Sequence, residues 1–63
     1  MDKIIKNMAK CQRCGDIIES KHTHDFKTCR CGTISVDGGY DYIKRTYAYD
    51  PTDIIELSVI EEE

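Results

Sequence analysis

Short runs of alternating apolar and polar residues, separated by turn-forming residues, organise this chain. Thr33-Ile34-Ser35-Val36 alternates Thr/Ser with Ile/Val, the period of a strand with one face buried. Asp37-Gly38-Gly39 follows and predicts a tight hairpin turn, because Asp-Gly tolerates the positive φ angles such a turn needs. The returning strand is then Tyr40 to Tyr47, rich in Tyr, Ile and Thr. Earlier in the chain, Asp16-Ile17-Ile18-Glu19 predicts a short strand, Ser20 to Thr23 a turn, and His24-Asp25-Phe26-Lys27-Thr28 a second short strand. Residues 1–7 form a polar lead-in with one apolar pair, Ile4-Ile5, and suit a loose turn or a short strand.

Towards the end, Asp50-Pro51-Thr52-Asp53 has the marks of a helix start. Asp50 can cap, Pro51 suits the first helical position and Asp53 lies in the first turn. Ile54, Ile55, Leu57 and Ile60 would be the apolar face of that helix. The Ile and Val content of 54–60 fits a strand as well, and the start signal favours the helix. Glu61-Glu62-Glu63 is expected to be a frayed, solvated tail. The expected organisation is a lead-in over 1–7, one domain over 8–57 and an acidic tail over 58–63. The candidate core is Ile4, Ile5, Ile17, Ile18, Phe26, Ile34, Val36, Ile43, Ile54, Ile55 and Leu57.

Composition makes that core thin. With 63 residues, one Phe and no Trp, the chain buries too little apolar surface to be robust without a staple. The staple is legible in four cysteines, Cys11-Gln12-Arg13-Cys14-Gly15 and Cys29-Arg30-Cys31-Gly32. Lys3-Ile4-Ile5-Lys6 interrupts any apolar run near the start, so neither a secretory signal nor a membrane span is expected. The expected compartment is the reducing cytoplasm, where paired cysteines are metal ligands before they are disulfides.

A C-x-x-C-G turn sets two thiolates side by side, and the glycine accepts an unusual φ. The second pair is one residue shorter, so residues 29–32 are expected to form a tight turn and not to continue a strand. Cys14 and Cys29 are separated by room for two short strands and a turn, the spacing of a zinc ribbon. One structural Zn²⁺ on Cys11, Cys14, Cys29 and Cys31 is the expectation, with iron as the competing metal in a four-thiolate site. His22 and His24 could enter the ligation, but four cysteines already complete the shell, so they are taken as surface or packing residues.

Charge narrows the function. Residues 1–31 carry seven Lys/Arg against four Asp/Glu, and residues 32–63 carry two against eight: +3 and −6, for a net −3. Four thiolates on a dication would add −2. That balance disfavours a general phosphate-backbone binder, although Lys10, Arg13, Lys27 and Arg30 offer a local basic patch. No catalytic residue set is found: there is no Ser/His/Asp group, no phosphate-binding glycine loop and no H-E-x-x-H, and a closed thiolate shell leaves no open metal position. The chain is not expected to be an enzyme. Tyr40, Tyr42, Lys44, Arg45, Tyr47 and Tyr49 are the candidate partner-binding residues. On an extended strand Tyr40, Tyr42 and Lys44 share one face, while Ile43, Arg45, Tyr47 and Tyr49 share the other. Tyr with Lys/Arg serves both protein interfaces and base-stacking platforms. A plain hairpin strand with tyrosines covering a thin sheet is the bland alternative.

Cys11-x-x-Cys14-Gly15, Glu19-Ser20-Lys21-His22-x-His24-Asp25-Phe26, Cys29-x-Cys31-Gly32 and Ser35-Val36-Asp37-Gly38-Gly39 together resemble a group of small zinc-ribbon proteins carried by phages and prophages, over about residues 9–57. The resemblance implies a zinc ribbon of phage origin and no established activity. Phage accessory proteins of this size often bind one host protein. An anti-CRISPR or other anti-defence inhibitor is therefore the sharper form of the interaction reading. Taken together, the fold expected is small, metal-stabilised and β-rich (α+β): a zinc ribbon whose antiparallel sheet of three or more short strands carries two Cys knuckles and a short C-terminal helix. The expected partner is a host protein, with nucleic acid or a second copy of the chain as alternatives and no membrane.

Overall fold

The computed structural model describes residues 2–62. Seven strands follow in order: β1 (Asp2–Cys11), β2 (Ile17–Ser20), β3 (Lys27–Thr28), β4 (Ile34–Asp37), β5 (Lys44–Tyr47), β6 (Ile54–Glu56) and β7 (Val59–Glu62), with a 3₁₀ turn at Pro51–Asp53. They form two antiparallel sheets. In the first, β1 is the axis: β2 pairs with its C-terminal half, Asn7 opposite Ser20 and Lys10 opposite Ile17. β6 and β7 run back along β1, from Ile54 opposite Cys11 to Glu62 opposite Asp2. The second sheet has the order β3-β4-β5.

β1 takes the strand alternative expected for residues 1–7 and makes it longer. Residues 2–7 are part of a 10-residue strand. Its inward positions are Asn7, Ala9 and Cys11, all buried to 0 % exposure, while Lys6 and Lys10 face out. The strand period is there, but it is carried by an amide, a methyl and a thiol. The core lies where the sheets meet. Ala9, Cys11 and Ile18 come from the first sheet and its β1, Cys29, Ile34 and Val36 from around the second, and Cys14 and Ile54 pack against them. Of the candidate core, Ile18, Ile34 and Val36 are buried; Ile5, Ile17, Phe26, Ile55 and Leu57 are exposed.

Four expected elements change. No α-helix is found among the described residues, and the C-terminal helix is replaced by a single 3₁₀ turn and two strands. Its start was sound: Asp50 accepts from the Thr52 amide and hydroxyl at 2.9 and 2.8 Å, with Pro51 in the first position. Continuation would have stacked Glu61 and Glu62 at the negative end of a short, marginal helix. β1 instead offers an unpaired edge to a β-branched stretch. For the same reason Glu61 and Glu62 are not frayed: both lie in β7, Glu61 opposite Lys3. Glu63 lies outside the described residues.

The second expected strand shrinks to Lys27–Thr28. His24 adopts φ +68, and residues 21–26 form a turn in which Asp25 N donates to the His22 carbonyl and Lys21 N to Asp25 Oδ2, both at 2.9 Å. The hairpin is also wider than a two-residue turn. Asp37 pairs with Lys44, so Gly38 to Ile43 is loop and Tyr40, Tyr42 and Ile43 are not on a strand.

The reason for that wide loop is Asn7. Its buried Nδ2 donates to the carbonyls of Asp37 (3.0 Å), Gly39 (2.9 Å) and Tyr42 (3.2 Å), pulling the loop over β1. Gly38 and Gly39 sit at φ +104 and +56, and a Cβ on either would collide with backbone, of Tyr42 and His22 respectively. Ser20 Oγ completes the knot, accepting from Gly39 N at 2.9 Å and donating to the Asp25 carbonyl at 2.8 Å.

Candidate metal centre

The end of β1 delivers Cys11 into the core, and the chain then turns at once. Gly15 N donates to the Cys11 carbonyl at 2.8 Å, and Cys11 N to the Asp16 carbonyl at 2.9 Å. This closed turn carries Cys14, with Gly15 at φ +74. The second knuckle enters from β3. Gly32 N donates to the Cys29 carbonyl at 2.9 Å, so residues 29–32 form the tight turn expected of a one-residue spacer, with Gly32 at φ +77. β4 leaves directly beneath it, Cys29 N bonding to the Ile34 carbonyl at 3.1 Å.

These turns bring all four sulfurs within 4.8 Å of one another. Cys11 Sγ and Cys29 Sγ each lie 3.6 Å from Cys31 Sγ. A disulfide needs about 2.05 Å. A metal–thiolate tetrahedron with bonds of about 2.3 Å has sulfur–sulfur edges of about 3.8 Å. The spacing therefore fits a metal ion held by four sulfurs. Neither His22 nor His24 belongs to the cluster, which is formed by the cysteines alone.

The surroundings treat the sulfurs unequally. Burial pushes the Cys11 thiol up to about 11. The Asp16 amide, and then that of Cys31, pull Cys14 down. The Thr33 hydroxyl, 3.0 Å from Cys31 Sγ, and the Thr33 amide lower Cys31 to about 6. Ile34 N points at Cys29 Sγ at 3.4 Å. Donors thus favour thiolate at Cys14 and Cys31, while burial opposes a further negative charge at Cys11. A bound cation compensates that charge.

The candidate partner-binding residues divide. Tyr40, Tyr42, Tyr47 and Tyr49 are exposed, Tyr49 most at 72 %, and Lys44 is exposed as well. They do not form two faces of one strand, since only Lys44 and Tyr47 lie in β5. Arg45 is not available to a partner. Its side chain is 13 % exposed and joins the two sheets. It meets both Glu56 oxygens (2.6 and 2.9 Å), Asn7 Oδ1 (2.7 Å), Ser58 Oγ (2.8 Å) and the Met8 carbonyl (3.3 Å). Sequence reasoning missed this clamp because its partners lie on β1, at the end of β6 and just beyond it, away from Arg45 along the chain. The only sequence signal was an asparagine at an inward strand position. A second polar tie joins Arg13 Nε to the buried Asp53 carboxylate at 2.8 Å, with the Arg13 guanidinium 4.9 Å above the Tyr49 ring.

The histidine turn borders an open depression of about 480 Å³, lined by Ile17, Ile18, Glu19, His22, Asp25 and Lys27 among others. The Asp25 carboxylate there is held below the usual carboxylate range, first by the Lys21 amide and then by Lys27. Among the described residues, no helix is long and apolar enough to cross a membrane.

No curated protein and no solved structure matches this chain. A family model does: it covers residues 3–47, from β1 through β5 and including all four cysteines. The chain belongs to that family, described as a domain of unknown function (DUF7695).

Proposed function

We propose that the chain is a structural-zinc protein, a small zinc-ribbon-like scaffold that presents a tyrosine surface to a protein partner. The observation that carries this reading is the sulfur cluster. Four cysteine sulfurs at tetrahedral spacing would fill every position of a zinc shell and leave none for substrate, which favours a structural over a catalytic metal. What the metal would hold in place is the sheet that bears the exposed tyrosines. Tyr47 stands on β5, and Tyr49 follows with Arg13 stacked on it. Exposed Tyr beside Arg is the composition of binding hot spots. The finer form, a phage-encoded inhibitor of a host protein such as a defence nuclease, rests on the motif resemblance alone.

Capture experiments with tagged, metal-loaded protein test this reading. Wild type should retain a discrete partner that Tyr47→Ala/Tyr49→Ala protein, equally folded, does not. Equal recovery by both proteins would contradict it. Nucleic acid is the second reading, favoured by the Arg13–Tyr49 stack. It is weakened by the commitment of Arg45 to Glu56, and a salt-sensitive gel shift with short DNA or RNA separates it from the first.

A further inference from the structure

The four sulfurs are not equally reachable. Cys11 and Cys29 are core residues, exposed by 0 % and 4 %, and Cys14 is half-buried. Cys31 is exposed, in the short C-x-C turn that the Gly32 N to Cys29 carbonyl bond closes. Resting on the metal reading above, we infer that Cys31 is the site at which the centre is modified and opened, by soft electrophiles and by peroxide.

Exposure and a bound-thiolate character are what make a cysteine reactive, and of the four cluster cysteines Cys31 is the most exposed. Its sulfur is also the hub of the cluster, 3.6 Å from both Cys11 Sγ and Cys29 Sγ. An oxidised Cys31 therefore has a second thiol in contact. With peroxide, one oxygen passes to the Cys31 sulfur to give the sulfenic acid, and the other leaves as water. The Cys11 thiolate then attacks that sulfenic sulfur, forming the Cys11–Cys31 bond, and the hydroxide leaves, taking a proton from solvent to become a second water. Two thiolates, one peroxide and two protons from solvent become one disulfide and two waters, the two electrons coming from the sulfur pair. Cys11 is the resolving residue because a bridge to Cys29 would have to close across a single intervening residue of a tight turn. Two of four ligands are removed, and the metal is released.

The test begins by measuring metal on the purified chain, then pulses the loaded protein with substoichiometric N-ethylmaleimide and maps the single adducts by mass spectrometry. Most of the first adduct is expected on Cys31, and metal release should track that adduct. Adducts spread evenly over the four cysteines, or placed first on Cys14, overturn the inference. A chain that purifies folded without metal fails the metal reading, whereas a loaded chain modified elsewhere fails only this inference. Thr33→Val keeps all four ligands and removes the hydroxyl 3.0 Å from Cys31 Sγ. With the metal bound, Cys31 is already thiolate, and losing that donor leaves its sulfur lone pair freer, so adduct formation at Cys31 is expected to speed several-fold without moving its position; an unchanged rate counts against Cys31 as the point of attack. In the peroxide arm, a Cys11–Cys31 peptide is expected, and a Cys29–Cys31 peptide overturns the resolving role of Cys11.

Discussion

Arg45→Met removes a side chain that ties the two sheets together by charge. Methionine keeps the apolar stem, so packing is largely retained and the polar loss is isolated. The substitution leaves Asn7 Oδ1 without its 2.7 Å donor in a residue with no exposed surface. An unsatisfied buried acceptor costs about 1–3 kcal/mol. The Glu56 ion pair adds less, about 0.2–1 kcal/mol, because the Glu56 side chain is 47 % exposed and solvent screens it. The sum is about 1–4 kcal/mol, a large part of the ~3–9 kcal/mol that a domain of this size has in total. At about 4–8 °C per kcal/mol for a small domain, Tm should fall by roughly 5–30 °C. The assay is thermal and urea unfolding of metal-loaded protein, followed by circular dichroism, with metal content checked before each melt. Glu56→Gln is the control. It keeps an acceptor for Arg45 and leaves Asn7 served, so it should cost no more than about 1 kcal/mol. Arg45→Met within about 0.5 kcal/mol of wild type, or equal to Glu56→Gln, would refute the clamp.

Other outcomes follow from the same geometry. Cys14→Ser should lose the metal and the cooperative melt, and a folded, metal-free Cys14→Ser protein would contradict a structural centre. Gly39→Ala places a Cβ against the His22 backbone at φ +56, so its urea midpoint should fall well below that of a Gly15→Ala protein, whose Cβ meets nothing within 4 Å. Stripping the metal with a strong chelator should collapse amide dispersion in the NMR spectrum, because two of the six core residues among those described, Cys11 and Cys29, belong to the sulfur cluster that would hold it. The Asp25 carboxyl should titrate below an ordinary aspartate, as the Lys21 amide and Lys27 stabilise its charged form. Its contribution is then complete above about pH 4 and lost as pH falls through the depressed midpoint, and a carboxyl NMR titration at or above the ordinary value would contradict this.

What could be read in advance was whatever short-range chemistry specifies. The two glycine-ended cysteine turns and the Asp50 cap appear where their residues predict them; a strand forms at Ile34–Asp37 as well, but it is not buried on one face alone, since Thr33 and Ser35 are buried along with Ile34 and Val36. What escaped depended on long-range pairing. β1 hides its strand period because Asn7, Ala9 and Cys11 do not register as apolar, yet their burial makes it the axis of the first sheet. The C-terminal segment is helical by its start signal and extended by its partner: the unpaired edge of β1 decides it. Arg45 looked like a binding residue because nothing local identifies Asn7, Glu56 and Ser58 as its partners. The hairpin failed for a similar reason, since the three carbonyls gathered by Asn7 Nδ2 need a wider loop than Asp-Gly alone would make.

The central claim is that Cys11, Cys14, Cys29 and Cys31 together hold one zinc ion. X-ray absorption at the zinc edge, on protein purified without added metal, tests it most directly. The account predicts one zinc per chain in a shell of four sulfurs at about 2.3 Å. A shell containing nitrogen or oxygen scatterers, or a folded chain with no metal and four free thiols, would contradict it.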